Sequence, residues 1–288
     1  MSVEQRRDPI ACAGGCVYRR LVQRKLAKRF MGGSLAIGLA VAPLCAVEAQ
    51  DPMRGLDMSS PDMTMPEMTR AEVQAALAAA PRGQGVDFSG KRLSGLDLSG
   101  LNLSGAVLRA ARLNHANLSG ANLDGAVLDQ AWALGANLTG ASLVKASLVA
   151  TQLAGANLNG ANLAEARITA DMNRARLVGA RLEKANCGVD LKNQSMGLMR
   201  ASFKSADLTG AVFAGANLTL ADLQFAKMTS ADLSGAVLRE ADASGADLRG
   251  ARLDGVDATG LDVQSTRIDS ASARFLVKAV NLNLAYRE

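Results

Sequence analysis

Ala116-Asn117-Leu118-Ser119-Gly120-Ala121-Asn122-Leu123-Asp124-Gly125 contains one five-residue unit twice: small, polar, leucine, polar, glycine. Outward from it, an apolar residue stands at every fifth position from Phe88 to Ile168, passing through Leu93, Leu98, Leu103, Leu108 and Leu113. Only Ala133 is small in that column, and the run makes seventeen consecutive units. After Ile168 the spacing slips by one residue, then continues through Met172, Leu177, Leu182 and Cys187. A second block of fourteen units runs from Phe203 to Ile268. Alanine stands two places before the apolar residue in 27 of the 35 units, so the pattern is no chance alignment.

A period of five fits neither an α-helix nor a plain strand. It fits a short extended segment followed by a turn. With the central apolar residue called i, the side chains at i−2 and i point to one face of the extended segment and i−1 to the other. The alanine and leucine columns therefore face inward, and the Asn/Asp/Arg column faces water. Glycine or alanine at i+2, often after Ser, Thr or Asp, makes the turn. One such unit buries almost nothing, so the units must stack on one another.

The Ala-(Asn/Asp)-Leu-(Ser/Thr/Asp)-Gly unit resembles the pentapeptide-repeat proteins, and the resemblance spans Phe88 to Ile268. It implies an all-β fold, a right-handed quadrilateral parallel β-helix with four units per coil. The 35 units then make about nine coils and, at ~4.8 Å per coil, a rod ~40 Å long. The resemblance also implies action by binding other proteins. One group of the family resembles duplex DNA in shape and charge and occupies the DNA site of type II topoisomerases. Charge argues against such mimicry here: Phe88 to Arg200 carries twelve basic and seven acidic residues, and Phe203 to Glu288 nine and eleven.

The repeat, assigned to 86–269, needs covers at both ends, because an open β-helix end would pair with other chains. Thr69-Arg70-Ala71-Glu72 is a capping box that opens an Ala-rich helix over 69–82, stopped by Pro81 and Gly83. Val73, Ala76, Leu77 and Ala80 are expected against the first coil. In the C-terminal cap, 270–288, Phe275, Leu276, Ala279 and Val280 suit a short helix plugging the last coil; Asn281-Leu282-Asn283-Leu284 alternates like a strand. The repeat is interrupted at 188–200, read as a bulge or outward loop that either binds a partner or is a tolerated insertion.

Residues 1–49 read as a signal peptide. A basic stretch holds Arg19, Arg20, Arg24, Lys25, Lys28 and Arg29; seventeen uncharged residues follow from Met31 to Val47, and Val47-Glu48-Ala49 offers a small-residue cleavage site. The alternative is an uncleaved membrane anchor, although the apolar run is short of the ~20 residues that span a bilayer. Both readings send the rest of the chain outward, and the cleaved form is expected to be periplasmic or secreted. The leader also explains the net charge of +5. Residues 1–50 hold eight basic and three acidic residues, and the remainder 24 of each sign, which excludes a nucleic-acid partner on overall charge.

Aromatic residues make up only 3% of the chain, with one Trp and one His. His115 occupies a turn position with no nucleophile or carboxylate motif around it, so no catalytic residue is assigned and an enzyme is not expected. Cys12, Cys16 and Cys45 fall in the leader, leaving Cys187 alone at a core position, without a disulfide framework.

Three features bear on function. Residues 50–68 read as a flexible, polar linker carrying Met53, Met58, Met63, Met65 and Met68. These thioethers are candidate ligands for Cu(I), the one cofactor the sequence suggests; the plainer reading is a linker with incidental methionines. Arg92, Arg112 and Trp132 fall twenty residues apart, in one outward column beside Val107 and Val127. They are the candidate anchors for another protein, although Trp132 could instead cover the small Ala133. In a third column, Asp222, Asp242 and Asp262 stack like charges, which repel unless solvated or bound to a cation. The expected function is a non-catalytic, exported binding or scaffold protein, with Cu(I) handling and topoisomerase binding as alternatives.

Overall fold

The computed structural model describes residues 57–81, 83–189 and 200–288. The expected signal peptide, Met53 and most of the interruption at 188–200 lie outside the described residues.

From Asp87 to Arg267 the chain winds as a parallel β-helix in which residue i−1 of one unit pairs with its counterpart twenty positions on, as in Asp97, Asn117, Asn137 and Asn157. Four such columns define four faces: A from Asp87, B from Arg92, C from Asp97 and D from Asn102. Most coils are so short on each face that pairing is a single rung. Longer strands occur only at β1 (Ser147–Gln152) and β2 (Arg167–Asp171), which pair in parallel with a register shift between Val149 and Gln152. There one residue is lost, and Asn157 pairs with Arg176, nineteen positions on.

The interruption obeys the same rule. Asp171 pairs with Ser202 and Asn186 with Asn217, and sixteen residues rather than five separate Asn186 from Ser202. The eleven extra residues therefore fall in sequence between Asn186 on face A and Ser202 on face B. The winding resumes at once: the Ala201 amide donates across the turn to the Cys187 carbonyl at 3.4 Å, and the Ser202 amide back to the Ala170 carbonyl at 3.0 Å.

Each unit makes the same bonds. The Leu98 amide donates to Asn117 O (2.7 Å), Gly100 N to Ser119 O (2.9 Å), Asn117 N back to Leu96 O (2.8 Å), and Ala121 N across the turn to Leu118 O (3.1 Å). One amide per unit, at i+1, has no partner in that scheme. The side chain at i−1 accepts it: Asn117 Oδ1 from Ser119 N (3.2 Å), Asp232 Oδ1 from Ser234 N (2.9 Å), Asp242 Oδ1 from Ser244 N (2.9 Å). This local bond is why Asn and Asp fill the outward column. Asn117 also links the coils, donating to Asp97 Oδ1 (2.9 Å) and accepting from Asn137 Nδ2 (3.0 Å).

Inside, the alanine and leucine columns are buried throughout. Near the interruption Phe203 and Phe213 replace leucine and meet edge to face, with ring centroids 6.0 Å apart. Cys187 is buried in the same core, and loss of water around its thiol pushes its pKa up to about 12, so it stays protonated and inert. Corner residues at i+2 take positive φ in the regular coils, apart from Ala170 where the residue is lost, which explains the glycines. At two corners an aromatic side chain folds over the next coil and requires glycine beneath. A Cβ on Gly135 would come within 2.8 Å of His115, and one on Gly245 within 2.6 Å of the Phe225 ring.

The caps complete the hydrogen bonds of the end coils. Helix α1 spans Pro61–Thr64 and α2 spans Arg70–Ala79, the latter opened by the reciprocal capping box of Thr69 and Glu72. Val73 is buried against the first coil, and Ala76 and Leu77 pack beside it. Arg70 donates to Asp97 O (2.6 Å) and Ser99 O (2.9 Å), and Glu67 N to Arg92 O (2.9 Å). Those carbonyls are the ones that a preceding coil would have filled.

Two expectations are corrected. Residues 57–68 are not a flexible linker: they strap across face B, with Met63 buried and its carbonyl accepting from Asn114 Nδ2 (3.2 Å). Apolar burial and ion pairs hold a segment whose composition alone reads as solvated. The C-terminal cap is not an α-helix either. It forms two 3-10 turns, Ser272–Leu276 and Leu282–Leu284, then β4 (Tyr286–Arg287), which pairs with β3 (Arg267–Ile268) as part of one more coil. Leu276 is buried as expected, but Val280 forms a rung against Asp262 and is exposed, because i−1 positions point outward.

Leu118→Lys should unfold or severely destabilise the rod, by about 3–5 kcal/mol, since the ammonium enters a column with no partner. Asn117→Lys loses one acceptor and one inter-coil bond and should cost about 1–2 kcal/mol. Equal melting losses for the two variants would refute the assigned faces.

Candidate interaction surfaces

With the interior filled by side chains, the chemistry of the molecule lies on its four faces. On faces A, C and D of the later coils, acidic groups meet basic ones. Asp207 pairs with Lys227 (3.8 Å), Asp232 with Arg252 (3.1 Å), Asp247 with Arg249 (2.7 Å) and Asp257 with Arg239 (2.6 Å). These pairs are solvent-exposed, so their value is in neutralising the surface more than in stability. Asp207, Lys227, Asp247 and Arg267 alternate in sign along one continuous column on face C.

Face B departs from that pattern. Its column reads Arg92, Arg112, Trp132, Gln152, Asp171, Ser202, Asp222, Asp242, Asp262 and Val280. The three expected anchors therefore stand on consecutive rungs, and so do the three aspartates. Arg92 is not available to a partner: its guanidinium holds the strap through Asp62 (2.8 Å) and Glu67 (3.3 Å). Lys91 adds a second contact to Glu67 (3.1 Å). Ser94 and Asn114, at the otherwise accessible i+1 positions of the same face, are buried. Arg112 and Trp132 remain half-exposed beyond the strap, while Ala133 points inward beneath Trp132 and is buried.

The methionines are scattered. Met63 is 6% exposed, Met68 packs against the core, Met65 is 60% exposed and Met58 is half-buried. One ion drawing on all of them would have to pull Met63 from its buried position. Among the described residues, no group of three His, Cys, Asp or Glu is placed to hold a metal ion. An open recess of about 480 Å³ lies where the register changes, bordered by Gly155, Asp171, Arg174 and Lys204. Its groups are those of an ordinary charged surface. Among the described residues, no helix is long and apolar enough to cross a membrane.

A second set of polar residues escaped the sequence reading. In five units whose i−1 is not Asn or Asp, the orphan amide at i+1 is taken by an Asn or Asp at i+1 of the preceding coil. Asp124 accepts from Val144 N (2.9 Å), Asp129 from Val149 N (3.1 Å) and Asn114 from Leu134 N (3.1 Å). Asn159 and Asn173 do the same for Val178 and Lys204. The signal is a pairing twenty residues apart between an unusual i−1 and an Asn or Asp in the coil before. These polar groups are structural, which narrows the candidates for binding.

Several surface carboxylates titrate low. The Thr259 hydroxyl, the Arg239 guanidinium and the Thr259 amide hold Asp257 down to about 2. Hydrogen bonds from the Ser234 hydroxyl and amide lower Asp232. At Asp207 burial is the largest influence and pushes upward, but the bonds from Thr209 and the charges of Lys227 and Arg176 outweigh it.

The chain matches the family model of pentapeptide repeats, in eight copies, over residues 92–130, 134–169, 152–187, 198–235 and 231–268. Among solved structures it is similar to HetL, a pentapeptide repeat protein involved in heterocyst differentiation regulation from the cyanobacterium Nostoc sp. strain PCC 7120. Identity is 30%, coverage 77% of this chain and 94% of that one, and the TM-score 0.62. It is also similar to QnrB1, a plasmid-mediated fluoroquinolone resistance protein, at 15% identity over 71% of this chain and 91% of that one, with a TM-score of 0.47. A pentapeptide repeat protein of the Arabidopsis thaliana thylakoid lumen shares 27% identity over 46% of this chain and 67% of that one, with a TM-score of 0.13. No curated protein sequence matches the chain.

A carboxylate with a lower pKa in the folded chain stabilises it above the unfolded value, about 3.9, and that stability is lost as pH falls through the folded pKa. The melting temperature should therefore hold level from pH 8 to about 5 and drop between about 4 and 2. Asp257→Asn keeps an oxygen for Thr259 and should make that drop smaller; a variant with the full wild-type drop would contradict the assignment.

Proposed function

Because the chain belongs to the pentapeptide-repeat family, we propose that it is a non-catalytic, exported rod that binds another protein along face B. The observation that carries this reading is the contrast between faces. The later coils of three faces pair acidic with basic side chains, whereas face B leaves Arg112 and Trp132 unburied beyond the strap and, among the described residues, its aspartates without cations. Tryptophan and arginine are the side chains most often found at the energetic centre of protein interfaces. The packed alanine and leucine interior offers no enclosed substrate site, which supports a binding role over a catalytic one. The basic stretch, uncharged run and Val47-Glu48-Ala49 support export.

Cell fractionation followed by crosslinking and affinity capture tests both parts. The mature chain should begin near Gln50 and be found outside the cytoplasm. Arg112→Ala combined with Trp132→Ala should abolish capture of the crosslinked partner while the circular dichroism spectrum stays unchanged. Recovery of the full-length chain only from cytosol would overturn export, and undiminished capture by the double variant would overturn the assigned surface.

A further inference from the structure

Six large apolar side chains are exposed among the described residues, and five of them lie in the C-terminal coils. Four border one edge, the corner between faces B and C. Phe225 (60% exposed) stands at the corner position itself, with φ of 56°. Its ring lies over Gly245 in the next coil, and the corner continues through Ser265 to Leu284, whose carbonyl accepts the Ser265 amide at 3.1 Å. Val280 and Tyr286 flank Leu284, ending the outward columns of faces B and C after Asp262 and Arg267.

A bulky side chain at positive φ costs about 1–2 kcal/mol relative to glycine. The neighbouring coils would accept glycine there, as they do at Gly135, Gly155 and Gly245 in the same column. Apolar groups gathered along one edge and rimmed by polar residues mark an interaction surface.

The two sides of the rim differ in charge: on the face C side Lys227 is paired with Asp207, whereas the face B side is acidic; Lys204 lies 6.0 Å from the Phe225 ring centroid. Asp222, Asp242 and Asp262 are on adjacent rungs of face B beside this edge. Among the described residues none of them has an ion-pair partner, whereas Asp207, Asp232, Asp247 and Asp257 on the other faces each do. Their hydrogen bonds are to neutral groups, Gln224 Nε2 to Asp242 (2.6 Å) and Asn281 Nδ2 to Asp262 (2.8 Å). Like charges stacked ~4.8 Å apart repel each other, and a cationic partner relieves that repulsion.

We propose that the B–C edge of the C-terminal coils docks a cationic amphipathic helix, its apolar stripe on Phe225, Leu284 and Tyr286 and its lysines or arginines on the Asp222–Asp242–Asp262 ladder. The rung spacing of ~4.8 Å is close to the ~5–6 Å between neighbouring side chains three or four apart on a helix. A helix laid along the rod therefore keeps register with successive rungs, and its apolar stripe enters a hydrophobic edge. The proposal rests on the reading that this rod acts by binding another protein, and it adds the chemistry of the partner.

Binding of a fluorescein-labelled, 18-residue Leu/Lys peptide with one apolar stripe, followed by anisotropy on the mature protein, tests this. Asp222→Asn, Asp242→Asn and Asp262→Asn together keep the acceptor oxygens for the backbone and should raise Kd at least tenfold without lowering the melting temperature. Phe225→Asn with Leu284→Ser should also raise it at least tenfold, since asparagine tolerates the corner conformation. Asp87→Asn, Asp97→Asn and Glu165→Gln together remove the same charge from the other half of the rod and should change Kd less than twofold. Equal loss in that control, no loss in the aspartate triple, or equal binding of a scrambled Leu/Lys peptide would overturn the proposal. So would binding to neutral phosphatidylcholine vesicles in place of the peptide. Capture of the crosslinked partner that depends on Trp132 but survives the aspartate triple would overturn this proposal and leave the binding role standing.

Discussion

One amide in every five has no place in the coil-to-coil ladder, and the architecture turns on how that amide is satisfied. Backbone pairing takes care of positions i−2, i−1, i and i+2, but leaves i+1 at the turn. An unpaired amide in a tightly wound coil costs about 1–3 kcal/mol, and the repeat would incur that cost at every corner. In most units Asn or Asp removes it from one of two directions, from i−1 of the same unit or from i+1 of the preceding coil; in the rest the corner amide is left to water. The outward columns are therefore committed to structure first, and only residues that depart from this pattern are free for recognition.

The same constraint explains how the rod ends and where it tolerates change. At the N-terminal end Arg70 and the Glu67 amide occupy carbonyls that a further coil would have paired, so the cap stands in for the ladder chemically as well as covering the core. One residue is lost between Ile168 and Met172 and eleven are gained after Asn186, yet each change falls in sequence between face A and face B. A change within a face would turn inward columns outward; a change at a corner leaves every column in place.

Much of this was legible in the sequence. The period of five, the inward alanine and leucine columns and the twenty-residue ladders follow from spacing alone, and Thr69-Arg70-Ala71-Glu72 marked the cap. What escaped prediction depends on contacts distant in sequence. The strap over face B rests on Met63 fitting against Asn114 and on Arg92 meeting Asp62 and Glu67, none of which local composition reveals. The C-terminal segment carried a helical signal and, at 281–284, a strand signal; both stretches form 3-10 turns instead, and the open edge of the preceding coil pairs further on, with Tyr286–Arg287. Of the candidate anchors, Arg112 and Trp132 remain unburied beyond the strap, whereas Arg92 belongs to it.

Exchanging one solution to the orphan amide for the other tests its role most directly. Asp124 accepts from the Val144 amide because Ser142 cannot, and Asp124→Ala should lower stability by about 1–2 kcal/mol and speed hydrogen exchange at Val144. Adding Ser142→Asn places an acceptor at i−1 of the same unit, as in its neighbours Asn122 and Asn162. The measurement is amide exchange at Val144 together with the melting temperature, and the double variant should recover both toward wild type. If Asp124→Ala leaves Val144 protected, or if adding Ser142→Asn restores nothing, satisfaction of that amide is not what shapes the repeat.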